Sequence, residues 1–142
     1  MSLFRSEVVY LGPLAEGQLS TGGHFTIADN ITLLNGTNLV INPNAQATYL
    51  ITDASAGAFT IAAPSLGNVG SATPGIPADG KVIQFVSTTA AAHTVTFPAG
   101  VLKAGAGATT VATFTADAGA GFKILAYQGT FLVLYANNVT FA

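Results

Sequence analysis

The two histidines are the side chains of this sequence best suited to bind a metal ion. His24 and His93 each precede a threonine-rich run that is predicted to be a strand. A metal site would need a third ligand at a recognisable spacing, because zinc and calcium sites in proteins use several side chains. The aspartates that could serve are Asp29, Asp53, Asp79 and Asp117. None stands at such a spacing, so we expect strand-end histidines on the surface or at an interface, and no metal.

Two glycine-rich segments resemble the backbone cradle of a phosphate-binding loop. They are AGAG at 104–107 and AGAGF at 118–122. Such a loop needs Gly-Lys-Ser or Gly-Lys-Thr at the start of a helix, where backbone N–H groups point at the anion. Strand-forming residues follow both segments instead. We therefore predict flexible turns between strands and no nucleotide or other cofactor.

No arrangement for covalent or acid–base catalysis is recognisable in the sequence. The chain has no cysteine, so a nucleophile would have to be a serine with His24 or His93 as its base. The Gly-x-Ser-x-Gly sequence that exposes a nucleophilic serine is absent. No carboxylate pair suited to acid–base chemistry is apparent either. We predict that this protein is not an enzyme.

Charged side chains are rare in this chain, which has the length of one typical domain. They make up 7% of the 142 residues, whereas hydrophobic residues make up 50%. An average globular protein has about 25% charged residues. A monomer with so few charges exposes wide neutral or apolar patches, and such patches mark surfaces that contact another protein or a membrane. We therefore expect a partner to bury part of this surface.

The few basic residues argue against nucleic acid as that partner. Arg5, Lys81, Lys103 and Lys123 are scattered, and the formal net charge is -2. Binding to DNA or RNA needs a basic patch, so we predict none. Glu7 interrupts the apolar run that a secretory signal would need, and no stretch reaches eighteen apolar residues. We expect synthesis in a cytoplasm and no membrane association.

Short runs of β-forming residues separated by Gly, Pro, Asn and Asp predict a single all-β domain over 23–142. The strand candidates lie at 31–34, 37–41, 47–52, 58–62, 81–87, 93–97, 109–115, 122–127, 130–135 and 138–141. Their spacing is typical of an antiparallel sandwich or a jelly-roll-like barrel of roughly ten short strands. Asn35-Gly36 predicts a hairpin with a type I′ turn. The strand-free stretch 64–80 predicts a long loop.

A loose recurrence runs through these strands. Its members are HFTIAD (24–29), AFTIAAP (58–64), HTVTFPA (93–99), TFTADA (113–118) and NVTFA (138–142). Each is a run of threonine, aromatic and aliphatic residues, and the spacing between runs is irregular. Because a solenoid needs a fixed period, we interpret the recurrence as repeated strand chemistry and not as a solenoid repeat.

Residues 1–22 differ from the rest and predict an extended N-terminal arm. The segment ends at the Gly22-Gly23 break and contains an apolar run that a complete β domain does not need. A long terminal segment stays frayed unless it docks on something. Its candidate interaction residues are Leu3, Phe4, Val8, Val9, Tyr10 and Leu11.

The strand at 130–135 is apolar on both faces. One face carries Thr130, Leu132 and Leu134. The other carries the candidate interaction residues Phe131, Val133 and Tyr135. Either the strand lies between two packed layers, or a neighbouring subunit covers its second face. Together with the sparse charge, this second possibility predicts a homotrimer.

The chain resembles small virion structural proteins of tailed bacteriophages. The resemblance covers most of 24–142, above all DGKVIQFVST (79–88), HTVTFPAG (93–100) and ATFTADAGAGFKILAYQGTFLVLY (112–135). It implies a trimeric capsid decoration (cement) protein, seated on the major capsid protein at the outer surface of the virion, or a trimeric fibre or spike head that binds a host receptor or glycan. Nothing before residue 24 is long or repetitive enough to be a fibre shaft, which favours the decoration protein.

Overall fold

The chain folds into short strands connected by turns, as the sequence predicts. A computed structural model describes residues 31–66, 78–105 and 107–142, and within them there are eleven strands and no helix. The strands are β1 (Ile31–Leu34), β2 (Leu39–Ile41), β3 (Ala47–Ile51), β4 (Ala58–Ile61), β5 (Val82–Ser87), β6 (Thr94–Thr96), β7 (Leu102–Lys103), β8 (Val111–Phe114), β9 (Gly121–Tyr127), β10 (Thr130–Asn137) and β11 (Val139–Phe141). Only the short β7 was not predicted. The arm, residues 1–22, lies outside the described residues, as do 67–77 of the predicted loop.

The strands form two sheets that pack as a sandwich. The large sheet has the order β1-β3-β5-β9-β10-β7 and the small sheet has the order β11-β8-β6-β4-β2. Adjacent strands run parallel in three groups: β1, β3 and β5; β2, β4 and β6; and β10 with β7. The remaining adjacent strands run antiparallel. The all-β sandwich is thus confirmed. The sheets are mixed, however, and not antiparallel throughout, and neither closes into a barrel.

The parallel pairs arise because the first strands alternate between the two sheets. Strands β1, β3 and β5 belong to the large sheet, and β2, β4 and β6 belong to the small sheet. One strand of the large sheet and the next strand of the small sheet make one coil of the chain, and successive coils stack on each other. The register is continuous, since Phe59 of β4 pairs with both Leu39 and Val95. These six strands therefore stack in register as parallel neighbours. The connections between them have unequal lengths, so the stacking has no fixed period in the sequence.

The predicted hairpin at Asn35-Gly36 is also wrong. These residues carry the chain from β1 in the large sheet to β2 in the small sheet, so the two strands are not paired. Gly36 has a φ of 141°, far from the value of a type I′ turn. A tight hairpin forms instead between β9 and β10, where Gln128 and Gly129 have φ angles of 47° and 75°. Those values suit a two-residue type I′ turn.

The core between the sheets is built from aromatic side chains of both. Phe85 of β5 stacks against Tyr49 of β3 at 5.4 Å and against Phe122 of β9 at 4.9 Å, measured between ring centroids. Phe114 of the small sheet meets Phe122 at 5.7 Å. Burying each such ring contributes about 1.5–3 kcal/mol to folding. The inward-facing residues thus account for the stability, and the outer faces of the sheets are left for other roles.

Candidate interaction surface

The outward-facing side chains of the large sheet are mostly apolar. Residues alternate along its strands, so Ile83 and Phe85 of β5 are fully buried while their neighbours point away from the core. We call this surface the apolar outer face. It carries Ile31, Leu33, Leu50, Val82, Val86, Leu125, Tyr127, Leu132 and Tyr135.

These side chains form continuous rows across the strands. Leu33 of β1 pairs with Leu50 of β3, and Leu50 pairs with Val86 of β5. A second row consists of Val82, Leu125 and Leu132. A polar row lies between these two, in which Thr48 pairs with Gln84 and Gln84 pairs with Lys123, so the face consists of apolar rows separated by polar side chains.

Exposure is concentrated on the same sheet. Seven large hydrophobic side chains are exposed in the described ranges, and five of them lie on β1, β9 and β10. They are Ile31 at 54%, Leu33 at 64%, Tyr127 at 55%, Leu134 at 53% and Tyr135 at 60%. The large sheet is therefore the side of the molecule that exposes apolar surface to water.

The charges on the apolar outer face are lysines. Lys123 lies in the middle of the sheet, paired with Gln84 on one side and Tyr135 on the other, and Lys103 lies on the edge strand β7. None of the strands that the structure describes contains an acidic residue. A partner that covers this face therefore has to desolvate very few charged groups.

A β-bulge in β10 changes which residues share a face. Lys123 pairs with Tyr135 and Ile124 pairs with Val133, so Leu134 is an extra residue without a partner in β9. Phe131 is fully buried and Val133 is partly buried against the core, whereas Tyr135 is exposed on the outer face. The prediction that these three share one interaction face is therefore wrong. The predicted arm residues, Leu3 to Leu11, lie outside the described part of the chain.

Gly121 leaves a hollow in the apolar outer face. The hollow has a volume of about 90 Å³ and is lined by Gln84, Val86, Gly119, Gly121, Tyr135 and Asn137, together with Phe85 and Phe122. A Cβ at Gly121 would collide with the carbonyl oxygen of Phe85, which explains why the strand has glycine here. The sequence predicted only a flexible turn for 118–122. Gly121 instead begins β9, and its missing side chain leaves the hollow open.

The outward face of the small sheet differs because it is rich in threonine. Thr113 pairs with Thr94 on one side and Thr140 on the other, and Thr60 pairs with Thr96. Hydroxyl groups in such rows remain hydrated at little cost. The two outer faces of the sandwich therefore have different chemistry, and the apolar one is the candidate interaction surface.

His93 is a core residue and not a surface or interface histidine. It is fully buried, and its Nδ1 accepts a hydrogen bond from the Gly57 N–H at 3.0 Å. Its Nε2 lies 3.1 Å from Thr89 Oγ1, which donates to the Asp53 carbonyl at 2.7 Å. The ring therefore donates from Nε2 and is neutral. Burial lowers the pKa of His93, and the Asp53 carboxylate opposes this shift only in part.

Two kinds of site are absent from the described residues: a metal-binding cluster and a helix that could span a membrane. Across 31–66, 78–105 and 107–142, no three histidine, aspartate or glutamate side chains lie close enough together to hold a metal. No helix in those ranges is long and apolar enough to cross a membrane. Comparison of the chain with protein families, curated proteins and solved structures found no match.

Proposed function

We propose that this chain is a virion structural protein, a capsid decoration (cement) protein that binds the outside of a phage capsid and stabilises the shell. The observation that carries the proposal is the apolar outer face, whose apolar rows are partly or fully exposed in the single chain and which carries few charges. Exposed apolar surface of this kind is typical of a site that contacts another protein or a membrane. The resemblance to phage virion proteins indicates which kind of assembly would supply that cover.

In this proposal the apolar outer face is buried between subunits of a homotrimer. Covering the row Leu33, Leu50 and Val86 removes apolar area from water, which favours association. The hollow at Gly121 receives a side chain from the neighbouring subunit. Few charges lose their hydration, so most of the gain from the apolar area is retained.

The arm, residues 1–22, makes the contact with the major capsid protein. Its apolar residues, among them Val8, Val9 and Tyr10, are more than the domain needs for its own core. Ordering the arm costs about 1–2 kcal/mol per residue in chain entropy, and burying large apolar side chains at about 1.5–3 kcal/mol each offsets much of that cost. A trimer with three such arms bridges adjacent capsomers, and these contacts must break before the shell opens.

Co-sedimentation with empty expanded shells of the same virus tests this function. The full chain should bind shells and raise the temperature at which they open. A chain that starts at residue 23 should keep its β-type circular dichroism and its cooperative melting, but bind shells far more weakly. Equal binding by both chains would show that the shell contact lies on the β domain. No binding by the full chain would refute the decoration role.

The threonine-rich face favours one other function, that of a trimeric fibre or spike head that binds a host receptor or glycan. Its aligned hydroxyls, for example Thr94 and Thr113, can exchange hydrogen bonds with sugar hydroxyls. A head domain should bind host cells or immobilised glycans and leave shells unaffected. Binding to glycans that is lost in Thr94→Val/Thr113→Val would support this second function over the first.

A further inference from the structure

We propose that the apolar outer face binds an acidic side chain of a neighbouring copy, and that this side chain pairs with Lys123 beside the hollow at Gly121. The inference rests on the proposed function, because the homotrimer is the assembly that covers this face. It begins from the position of a cation in the middle of the face. Lys123 lies in β9, the fourth of the six strands of the large sheet.

The surroundings of Lys123 hold no counter-charge. Its side chain is partly buried, and the other members of its row, Thr48, Gln84 and Tyr135, are neutral. In the described part of the chain no strand carries an acidic residue, and the Lys123 ammonium makes no ion pair. Water hydrates this ammonium in the single chain. Once a protein covers the face, that hydration is lost, and a carboxylate partner offsets the loss.

The hollow at Gly121 provides the space for a carboxylate. Gly121 and Lys123 are two residues apart in β9, so both lie on the outer face. The row neighbours of Lys123, Gln84 and Tyr135, line the hollow. Its volume of about 90 Å³ is several times the roughly 10–15 Å³ that one water molecule needs. A carboxylate seated there accepts hydrogen bonds from the Lys123 ammonium and the Gln84 side-chain amide.

The positions of the acidic residues determine which contact supplies this carboxylate. Asp53, Asp79 and Asp117 lie in connections between strands. A contact between two apolar outer faces would bury the lysines of both copies and offer no carboxylate from any strand that the structure describes. The outer face of one copy therefore meets connections of the next copy. Such a contact joins two different surfaces, and contacts of this kind close into rings when the rotation fits, as in a trimer.

A second copy has the charges that this pairing requires. The chain has six acidic and four basic side chains, so each copy in a ring can supply one carboxylate to its neighbour. The contacts of a symmetric trimer are identical. Each of them pairs Lys123 of one subunit with the same acidic residue of the next, which fixes how the subunits are oriented around the ring.

Removing the charge of Lys123 tests the pairing. Lys123→Met keeps a long apolar side chain but leaves the carboxylate of the neighbour unpaired in the interface. We expect the concentration at which half of the trimers dissociate, measured by analytical ultracentrifugation, to rise by about tenfold or more. Lys81→Met is the matched control, because it removes the same charge from the connection before β5. It should leave this concentration nearly unchanged. An unchanged or lower value for Lys123→Met would overturn the proposal.

Zero-length cross-linking of the unsubstituted full chain gives a second test. A carbodiimide joins an amine to a carboxylate in contact with it, and a mixture of isotope-labelled and unlabelled chains distinguishes links between copies from links within one copy. Mass spectrometry should find Lys123 joined to an acidic residue of another copy, and it identifies that residue. A trimer in which Lys123 forms no link between copies would overturn the inference and leave the proposed trimer intact. A chain that sediments as a monomer would refute both.

Discussion

At the scale of single residues, His93 makes the fold sensitive to acid. Both ring nitrogens are occupied in the neutral form, because Nδ1 accepts from the Gly57 N–H while Nε2 donates to Thr89. A second proton on Nδ1 would face the Gly57 N–H and break that bond. The pKa of His93 is therefore lowered in the folded chain, mainly by burial.

We predict that the protein loses stability as the pH falls below about 6.5, the ordinary pKa of histidine in an unfolded chain. Above that value neither state of His93 is protonated, so its contribution does not change with pH. Below it the unfolded chain binds a proton that the folded chain resists, and the free energy of unfolding decreases. Urea titrations between pH 5 and pH 8 measure this slope.

The same titrations on one variant assign the slope to His93. His93→Gln should be less stable at pH 8, because the buried Gly57 N–H loses its acceptor at a cost of about 1–3 kcal/mol, but its stability should vary less with pH. The unsubstituted chain, titrated over the same range, gives the reference slope. A slope that persists in His93→Gln would contradict the prediction.

Gly121 is the second residue on which the fold depends. We predict that Gly121→Ala destabilises the chain by about 3 kcal/mol, the upper end of the usual cost of overpacking, because the new Cβ meets the backbone oxygen of Phe85 in the paired strand. Gly80→Ala is the control, since its φ of 86° is strained for alanine but the space around it is open. It should cost only about 1–2 kcal/mol. Urea midpoints compare the two, and equal losses would show that β5 and β9 adjust to the added atom.

At the scale of elements, the β9–β10 hairpin is fixed by a distant aspartate. The Asp79 carboxylate accepts hydrogen bonds from the Gln128 backbone N–H at 2.8 Å and from Gln128 Nε2 at 2.6 Å. Asp79 precedes β5, so these bonds attach the hairpin turn to the start of the neighbouring strand. They also hold Gln128 in the positive φ that the turn requires.

We predict that Asp79→Ala lowers the stability of the fold by about 1–2 kcal/mol, because both charge-assisted bonds are lost. Asp117→Ala removes the same charge, but within the described part of the chain the Asp117 carboxylate accepts one long hydrogen bond, from Asn138 Nδ2 at 3.5 Å. It should have little effect. Thermal melts of both variants make the comparison, and a similar loss in each would assign the effect to net charge and not to the hairpin.

At the scale of the whole molecule, the contrast between the two outer faces predicts how copies associate. We expect light scattering to report a homotrimer, and Leu33→Lys/Tyr135→Lys to give monomers at micromolar concentration. Both side chains are mostly exposed in the single chain, so the substitutions should not disturb its core. Lysine on the apolar outer face would have to be desolvated in the interface.

Thr60→Lys is the matched control for this experiment, because it adds a lysine to the exposed threonine-rich face. It should remain trimeric. A wild-type chain that stays monomeric would refute the trimer, and a double variant that remains trimeric would place the interface elsewhere on the molecule.

The sequence by itself determined where the strands lie. Alternation, as in ATYLIT and KVIQFVS, is a local property, and Asn, Gly, Pro and Asp end each run, so all the predicted strands are present. The all-β class followed from the same patterns. Sparse charge predicted an apolar surface, although it did not say which surface.

Only the tertiary structure decided how those strands pair. Asn35-Gly36 has the local chemistry of a hairpin, yet burial of Leu34 and Ile41 in one core requires the chain to turn from one sheet to the other. The bulge at Leu134 moves Tyr135 to the face opposite Phe131, and Gly121 starts a strand where the sequence predicted a turn. His93 is buried because the Gly57 N–H, from a turn 36 residues earlier in the chain, and the nearby Thr89 hydroxyl satisfy its ring. Each of these outcomes depends on how the strands pack and pair, and a local pattern carries no information about such partners.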